Sequence, residues 1–295
     1  MAIYSISDLE KLSGIKSHTI RMWEQRYGIL QPRRTDTNIR FYEDDDLKLL
    51  LNVALLNRHG YKISKIAAMS KADIAEKVGD VSEIRAGLDE EIDLLTLSAI
   101  EMDEYKFSRI LDNHIEQMGF EQAMLEVLYP FMEKLSLLWL TGSIKPVQEN
   151  FITLLIRNKL IVAIENETII TDRKAPKFIL YLPREEQQEL SLLFMQYLLK
   201  KRRFQVVNLG PNMALVDLKD ACQIHRPDYV FTILSETFNK EPVQRYLENL
   251  SDATLGAHLV LTGYLMATHS VKTPENATVL SSLEDTIEML DGLWA

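Results

Sequence analysis

A chain of 295 residues that is 46% hydrophobic and 26% charged is long enough for two or three compact units with ample core. One cysteine, Cys222, excludes a disulfide framework and a cysteine-rich metal site, and the opening Met-Ala-Ile-Tyr-Ser lacks the basic region and apolar run of a secretory signal. The net charge of −10 is unevenly spread: residues 1–70 hold 11 Lys+Arg against 8 Asp+Glu, so the acidic excess lies in the rest of the chain. A basic head on an acidic body fits a reader of nucleic acid joined to a separate module that faces a ligand or a protein. No run of about 18 apolar residues is present to span a membrane, so the expected location is the cytoplasm, away from membranes.

In chain order, Ile6 to Leu12 has helical spacing and stops at Ser13-Gly14. Ser17 to Tyr27 follows as a second short helix, with Ser17 as its expected cap and Ile20, Trp23 and Tyr27 on one apolar face. Two short helices about a glycine turn, the second with arginine near its start, form a helix-turn-helix pattern. His18, Thr19 and Arg21 are placed to enter a major groove, with Arg21 the best candidate for base or phosphate hydrogen bonds. The stretch Ile29 to Tyr42 reads as a hairpin turning at Asp36-Thr-Asn38. Its Arg33, Arg34, Asn38, Arg40 and Tyr42 would supply a wing that grips phosphate. Glu43 to Asp46 then opens an apolar helix through Leu56, its acids favoured by the helix dipole rather than arranged for a metal.

Thr-Ile-Arg-x-Trp-Glu-x-Arg-Tyr-Gly, then Pro-Arg-Arg-Thr, then Arg-x-Tyr before an acidic helix start resembles the winged helix-turn-helix DNA-binding domain of the MerR family, over residues 3 to about 70. That resemblance implies a sequence-specific transcriptional regulator acting on double-stranded promoter or operator DNA, without catalytic activity.

Residues 71–82 are polar and end in turn signals, which places the first boundary there. Four helical segments follow at about 84–100, 103–117, 120–141 and 146–167, an up-and-down four-helix bundle. Beyond a polar linker at 168–176 the period changes. Apolar runs at 177–182, 204–209, 228–234, 258–262 and 278–280 alternate with helices, as in a flavodoxin-like parallel sheet. The expected fold is therefore multidomain α and α/β: a winged head over 1–75, a bundle over 80–168 and a Rossmann-type α/β domain over 176–295.

This order resembles the cobalamin-binding repressors of the MerR family, including light-responsive regulators of carotenoid genes, and the bundle-plus-sheet pair is similar to the cobalamin module of methionine synthase. In that family the first βα loop carries Glu-x-His-x-x-Gly, whose histidine ligates cobalt. Here the loop reads Glu186-Gln-Gln188-Glu-Leu-Ser191, so Gln188 stands at the histidine and Ser191 at the glycine. The bundle motif of Trp, nine residues and Glu-His appears as Trp139, then Glu149-Asn150, again without histidine. Ser235 resembles the family's serine near the nucleotide tail, and Thr262-Gly263 replaces a Gly-Gly pair.

A neutral amide is a poor cobalt donor beside imidazole, so no bound cofactor and no metal are expected. Three uses of the module stay open. It could serve assembly of a homo-oligomer or docking of a protein antagonist. It could sense cobalamin without protein ligation, or another small molecule. It could also be a cobalamin sensor ligated from elsewhere in the chain. A cobalamin-dependent methyltransferase-like subunit is the remaining alternative class, and it would need the missing histidine chemistry. The six histidines show no ligand spacing, Cys222 reads as buried and inert, and Lys200 to Arg203 reads as the charged end of a helix.

Overall fold

The computed structural model describes residues 3–34, 40–58, 60–81, 88–140, 144–235, 238, 242–268 and 272–293. Packing divides the chain into two compact units, 1–155 and 156–295. The division falls inside a helix, not at the 75–80 and 168–176 boundaries expected from composition.

The first unit starts with strand β1 (Ile3–Tyr4), helices α1 (Ile6–Ser13) and α2 (Ser17–Tyr27), then β2 (Arg33–Arg34) and β3 (Arg40–Glu43). Ser5 and Asp8 cap α1 reciprocally, and Gly14 ends it at φ 71°, a conformation in which glycine is unstrained. The expected hairpin is present, with Arg33 opposite Phe41 and Arg34 opposite Arg40. β1 completes an antiparallel sheet of order β1-β3-β2. That strand is two residues long, too short to reveal alternation in sequence.

Helices α3 (Asp44–Arg58), α4 (Ile63–Ile66) and α5 (Lys71–Val81) close the head. The segment expected to be a boundary is thus helix α5. Ile74 is 4% exposed and Val78 is fully buried, because this polar-looking stretch carries its apolar residues four apart and lays them against α3.

The bundle follows as α6 (Leu88–Glu101), α7 (Glu104–Met118), α8 (Phe120–Ala123), a π-helical turn (Met124–Leu128), α9 (Tyr129–Leu140) and α10 (Pro146–Asn166). The π turn ends two residues before Pro130, which has no N–H to give a regular helix, and the Tyr129 N–H closes the wider turn on Met124 O. Phe107 of α7 and Phe131 of α9 meet in the core, 5.7 Å between ring centroids. Polar side chains also meet across the helices: His114 Nε2 lies 2.5 Å from Glu91 Oε2, and Lys134 forms an ion pair with Asp93.

The second unit alternates β4 (Lys177–Leu180), α11 (Glu189–Lys201), β5 (Gln205–Asn208), α12 (Leu215–His225), β6 (Tyr229–Ile233), α13 (Val243–Ala253), β7 (His258–Thr262), α14 (Tyr264–Thr268), β8 (Ala277–Leu280) and α15 (Leu283–Gly292). All pairings are parallel, in the order β5-β4-β6-β7-β8, which is the flavodoxin-like 2-1-3-4-5. Alternate residues of β4 face opposite layers: Ile179 joins a core with Leu218, Val230, Leu247 and Leu259, while Phe178 lies against Phe204 on the other side. Cys222 belongs to the first of these layers, and burial pushes its thiol up to about 11.

Candidate nucleic-acid interface and the crevice of the sheet

Helix α2 does not carry its own side-chain cap. Lys16 is the N-cap and Ser17, expected in that role, is the first helical residue. The carboxylate comes instead from α1. Glu10 Oε2 accepts from the Ser17 N–H at 3.0 Å and from the Ser17 hydroxyl at 2.6 Å, and Oε1 lies 3.1 Å from Lys16 Nζ. Unpaired N–H groups and the dipole at a helix start favour a carboxylate. The Ser17 hydroxyl, then its N–H, then Lys16 hold the Glu10 carboxyl down to about 2. One acid thereby fixes the turn between the two helices. Its sequence signal is weak, because nothing marks a residue seven positions upstream as a cap.

On α2, Ile20 and Trp23 are buried, while His18 and Arg21 are exposed and Thr19 is half-buried. On the wing, Arg33 and Arg34 are exposed, and Arg33 Nη1 lies 2.7 Å from Glu43 Oε1. Asn38 lies outside the described residues. Tyr42 departs from its expected role as a phosphate contact. It is fully buried opposite Tyr4, on the core side of β3, and its hydroxyl donates to Glu24 Oε1. Burial first, then that carboxylate, push the phenol well above the ordinary tyrosine range. The positive charges of Arg40 and Arg21 oppose the rise. Arg40 Nε is 4.0 Å from Glu24 Oε2. Glu24 went unread as a site residue; its only signal is an acid beside Trp23 in the arginine-bearing helix.

In the second unit, the loops after β4 and β6 lie at the point where strand order reverses, the usual crevice of such sheets. Two of the expected residues meet there. Glu186, 3% exposed, accepts from the Ser235 N–H at 2.8 Å and the Ser235 hydroxyl at 2.7 Å, and from the Gln187 N–H at 2.9 Å. Gln188 is exposed at the N-cap of α11, where its Oε1 is 3.5 Å from the Ser191 hydroxyl. Gly263 has φ 111°, and a Cβ there would lie 2.8 Å from the carbonyl carbon and 2.9 Å from the nitrogen of Leu234. Its lack of a side chain serves the packing of the strand ends. In the first unit, Glu149 and Asn150 are exposed on the first turns of α10, and Trp139 belongs to α9 with its side chain outside the described atoms.

Among the described residues no group of three or more His, Cys, Asp and Glu is set to hold a metal, and no helix is long and apolar enough to cross a membrane.

Comparison with known proteins agrees with this geometry. Residues 4–73 match the MerR HTH family regulatory protein domain, and residues 91–163 match the B12 binding domain. The HTH-type transcriptional repressor CarH of Myxococcus xanthus is 27% identical over 234 residues, covering 77% of both chains. CarA of the same organism, also an HTH-type transcriptional repressor, is 26% identical, covering 76% of this chain and 74% of its own. Among solved structures, the monomethylamine corrinoid protein of Methanosarcina barkeri superposes with a TM-score of 0.54 at 11% identity, covering 70% of this chain and all of its own, a likeness of fold. The chain thus carries a domain of the MerR HTH type followed by a helical domain of the B12-binding type, and over about three quarters of its length it is similar to HTH-type transcriptional repressors.

Proposed function

We propose that this regulator binds a partly palindromic operator through α2 and the wing, as a homo-oligomer in the cytoplasm and without catalytic activity. The Arg40–Glu24–Tyr42 cluster that ties the wing to α2, beside exposed Arg21, Arg33 and Arg34, carries the reading. His18, Thr19 and Arg21 are assigned to the groove. Arg33, Arg34, Arg40 and the undescribed Asn38 are assigned to phosphate, which fixes register and affinity more than sequence choice. A single head of this size buries too little surface for tight specific binding, which supports assembly. Val147, Leu154, Ile161 and Val162 of α10 remain exposed and would be covered in an oligomer.

The residues at the crevice do not fit ligation of cobalt. An amide stands where the resemblance calls for the cobalt-ligating histidine, at Gln188, and the buried carboxylate of Glu186 is already spent on Ser235 and Gln187. We assign the α/β module to assembly, or to a protein antagonist that lifts the head from DNA. The acidic charge of the chain outside the head accords with a protein partner.

The test is selection of a random duplex library on the purified full-length protein, followed by binding at several salt concentrations. Enrichment of a sequence with two related half-sites, whose affinity falls steeply with salt, is the expected result. Recovery of unenriched DNA would overturn the reading.

A further inference from the structure

We infer that Glu24 is a positioning residue for DNA recognition, holding the Arg40 guanidinium of the wing in register with α2; this rests on the assignment of Arg40 to phosphate proposed above. The carboxylate is nearly removed from solvent, its side chain 6% exposed. A buried carboxylate is expensive unless paired, and both partners of Glu24 come from one strand, β3. Tyr42, fixed in the core opposite Tyr4, donates to Oε1 and so fixes how the carboxylate plane is turned. Oε2 is then aimed at Arg40 Nε.

The separation there, 4.0 Å, is an ion pair without a hydrogen bond, and among the described residues the buried Nε has no hydrogen-bond partner. Arg33 is different, since its pair with Glu43 at 2.7 Å is a closed, hydrogen-bonded contact. Arg40 is therefore attracted from its Nε side without being consumed. The outer edge of its planar guanidinium, two N–H groups on Nη1 and Nη2, is kept for an anionic acceptor with two oxygens to offer, such as phosphate.

Plain electrostatics and positioning predict opposite signs. Removing a carboxylate near a polyanion strengthens binding if only charge matters. If Glu24 acts through Arg40, the same change weakens it. Glu24→Gln is the decisive variant, because its amide oxygen still accepts from Tyr42 and its volume is unchanged.

The measurement is fluorescence anisotropy of full-length wild type, E24Q, R40A and the double variant on a mixed-sequence duplex of about 30 base pairs, long enough for two half-sites, at several salt concentrations. Thermal unfolding of each variant accompanies it. R40A is expected to bind more weakly on any sequence, with its salt slope reduced by roughly one. E24Q is expected to bind about three- to tenfold more weakly, with no further loss when added to R40A, the non-additivity of two residues acting as a unit.

E24Q binding as tightly as wild type or tighter, while R40A weakens, overturns the inference and leaves Arg40 on phosphate. R40A without effect overturns the assignment of Arg40 itself, and the inference with it. Should E24Q unfold, Tyr42→Phe keeps the ring in the core and removes only the hydroxyl that orients Glu24. It is then expected to weaken binding about two- to threefold, although Tyr42 touches no DNA, and unchanged binding would overturn the inference.

Discussion

Gly263 shows how a residue can look like part of a ligand site while its task lies in the backbone. The Leu234 N–H donates to Thr262 O at 2.8 Å and the Leu265 N–H donates to Leu234 O at 3.1 Å, so the chain on either side of Gly263 is stitched to the end of β6. A side chain would have to occupy the space of Leu234's own backbone, in a conformation, φ 111°, that L residues rarely adopt. Gly263→Ala should therefore destabilise the second unit by about 2–4 kcal/mol, since neither the collision nor the strain can be relieved by a rotamer change. Denaturant unfolding of the full chain checks this, and a change below about 0.5 kcal/mol, as for an ordinary surface site, would refute it. Glu10 gives a second prediction at this scale. Its carboxyl titrates near 2 in the folded head against an ordinary 4.5, so its bonds to Ser17 and Lys16 add stability above the ordinary value and lose it as pH falls toward 2. The melting difference between wild type and Glu10→Gln should be full near neutrality and shrink steadily between those two values. A difference independent of pH would show that the carboxylate's charge plays no part in fixing the turn.

Among the elements, helix α5 carries the clearest energetic consequence. Ile74 and Val78 are buried, and Ile74 also lines a cavity of about 330 Å³ with Gly28, Val53 and Ile66, so the end of α2, helix α3 and helix α5 border one space. Ile74→Ala should cost about 2–4 kcal/mol in the first unit by enlarging that space, and it should weaken DNA binding indirectly. Unchanged stability would mean that α5 is not part of the head's core. The same helix marks the limit of what was legible beforehand. The bundle helices, the five parallel strands and α2 were readable because each sustains its apolar period over three or more repeats or ends on Gly, Pro or a charged cap. In α5 the buried apolar residues Ile74 and Val78 stand among Asp73, Glu76 and Lys77, which mask the period. β1 and α14 are shorter than any period. At the candidate sites, residue type was legible and direction was not. Arg21 and Arg33 extend outward as expected, whereas Tyr42 obeys the alternation of β3 and faces inward, a choice fixed only by the pairing of β3 with β1.

For the whole molecule, the question is whether the α/β unit still answers to a corrinoid. Its frame is a parallel sheet in the 2-1-3-4-5 order, with Glu186 in the loop at the switch point. The groups that would meet a ligand there are nevertheless engaged. Glu186 ties the β4 loop to Ser235, Gly263 makes room for Leu234, and Gln188 presents a neutral amide at a helix start. A corrinoid entering this crevice would meet the Gln188 amide where the resemblance calls for imidazole, and displacing the buried carboxylate of Glu186 would break hydrogen bonds each worth about 1.5–3 kcal/mol when the acceptor is charged. Titration of the full-length protein with adenosyl- and methylcobalamin, in the dark and after illumination, should therefore leave the corrinoid spectrum, the oligomer mass and the DNA affinity unchanged. Gln188→His tests the missing ligand alone. If it confers a ligand-bound spectrum, the frame has kept its capacity and only the donor is absent. If it does not, the Glu186–Ser235 clasp and Ser191 close the crevice as well. Stoichiometric binding by the wild type, with a change in oligomer mass, would show that amides suffice here, and control of the head would then pass from a protein partner to the corrinoid.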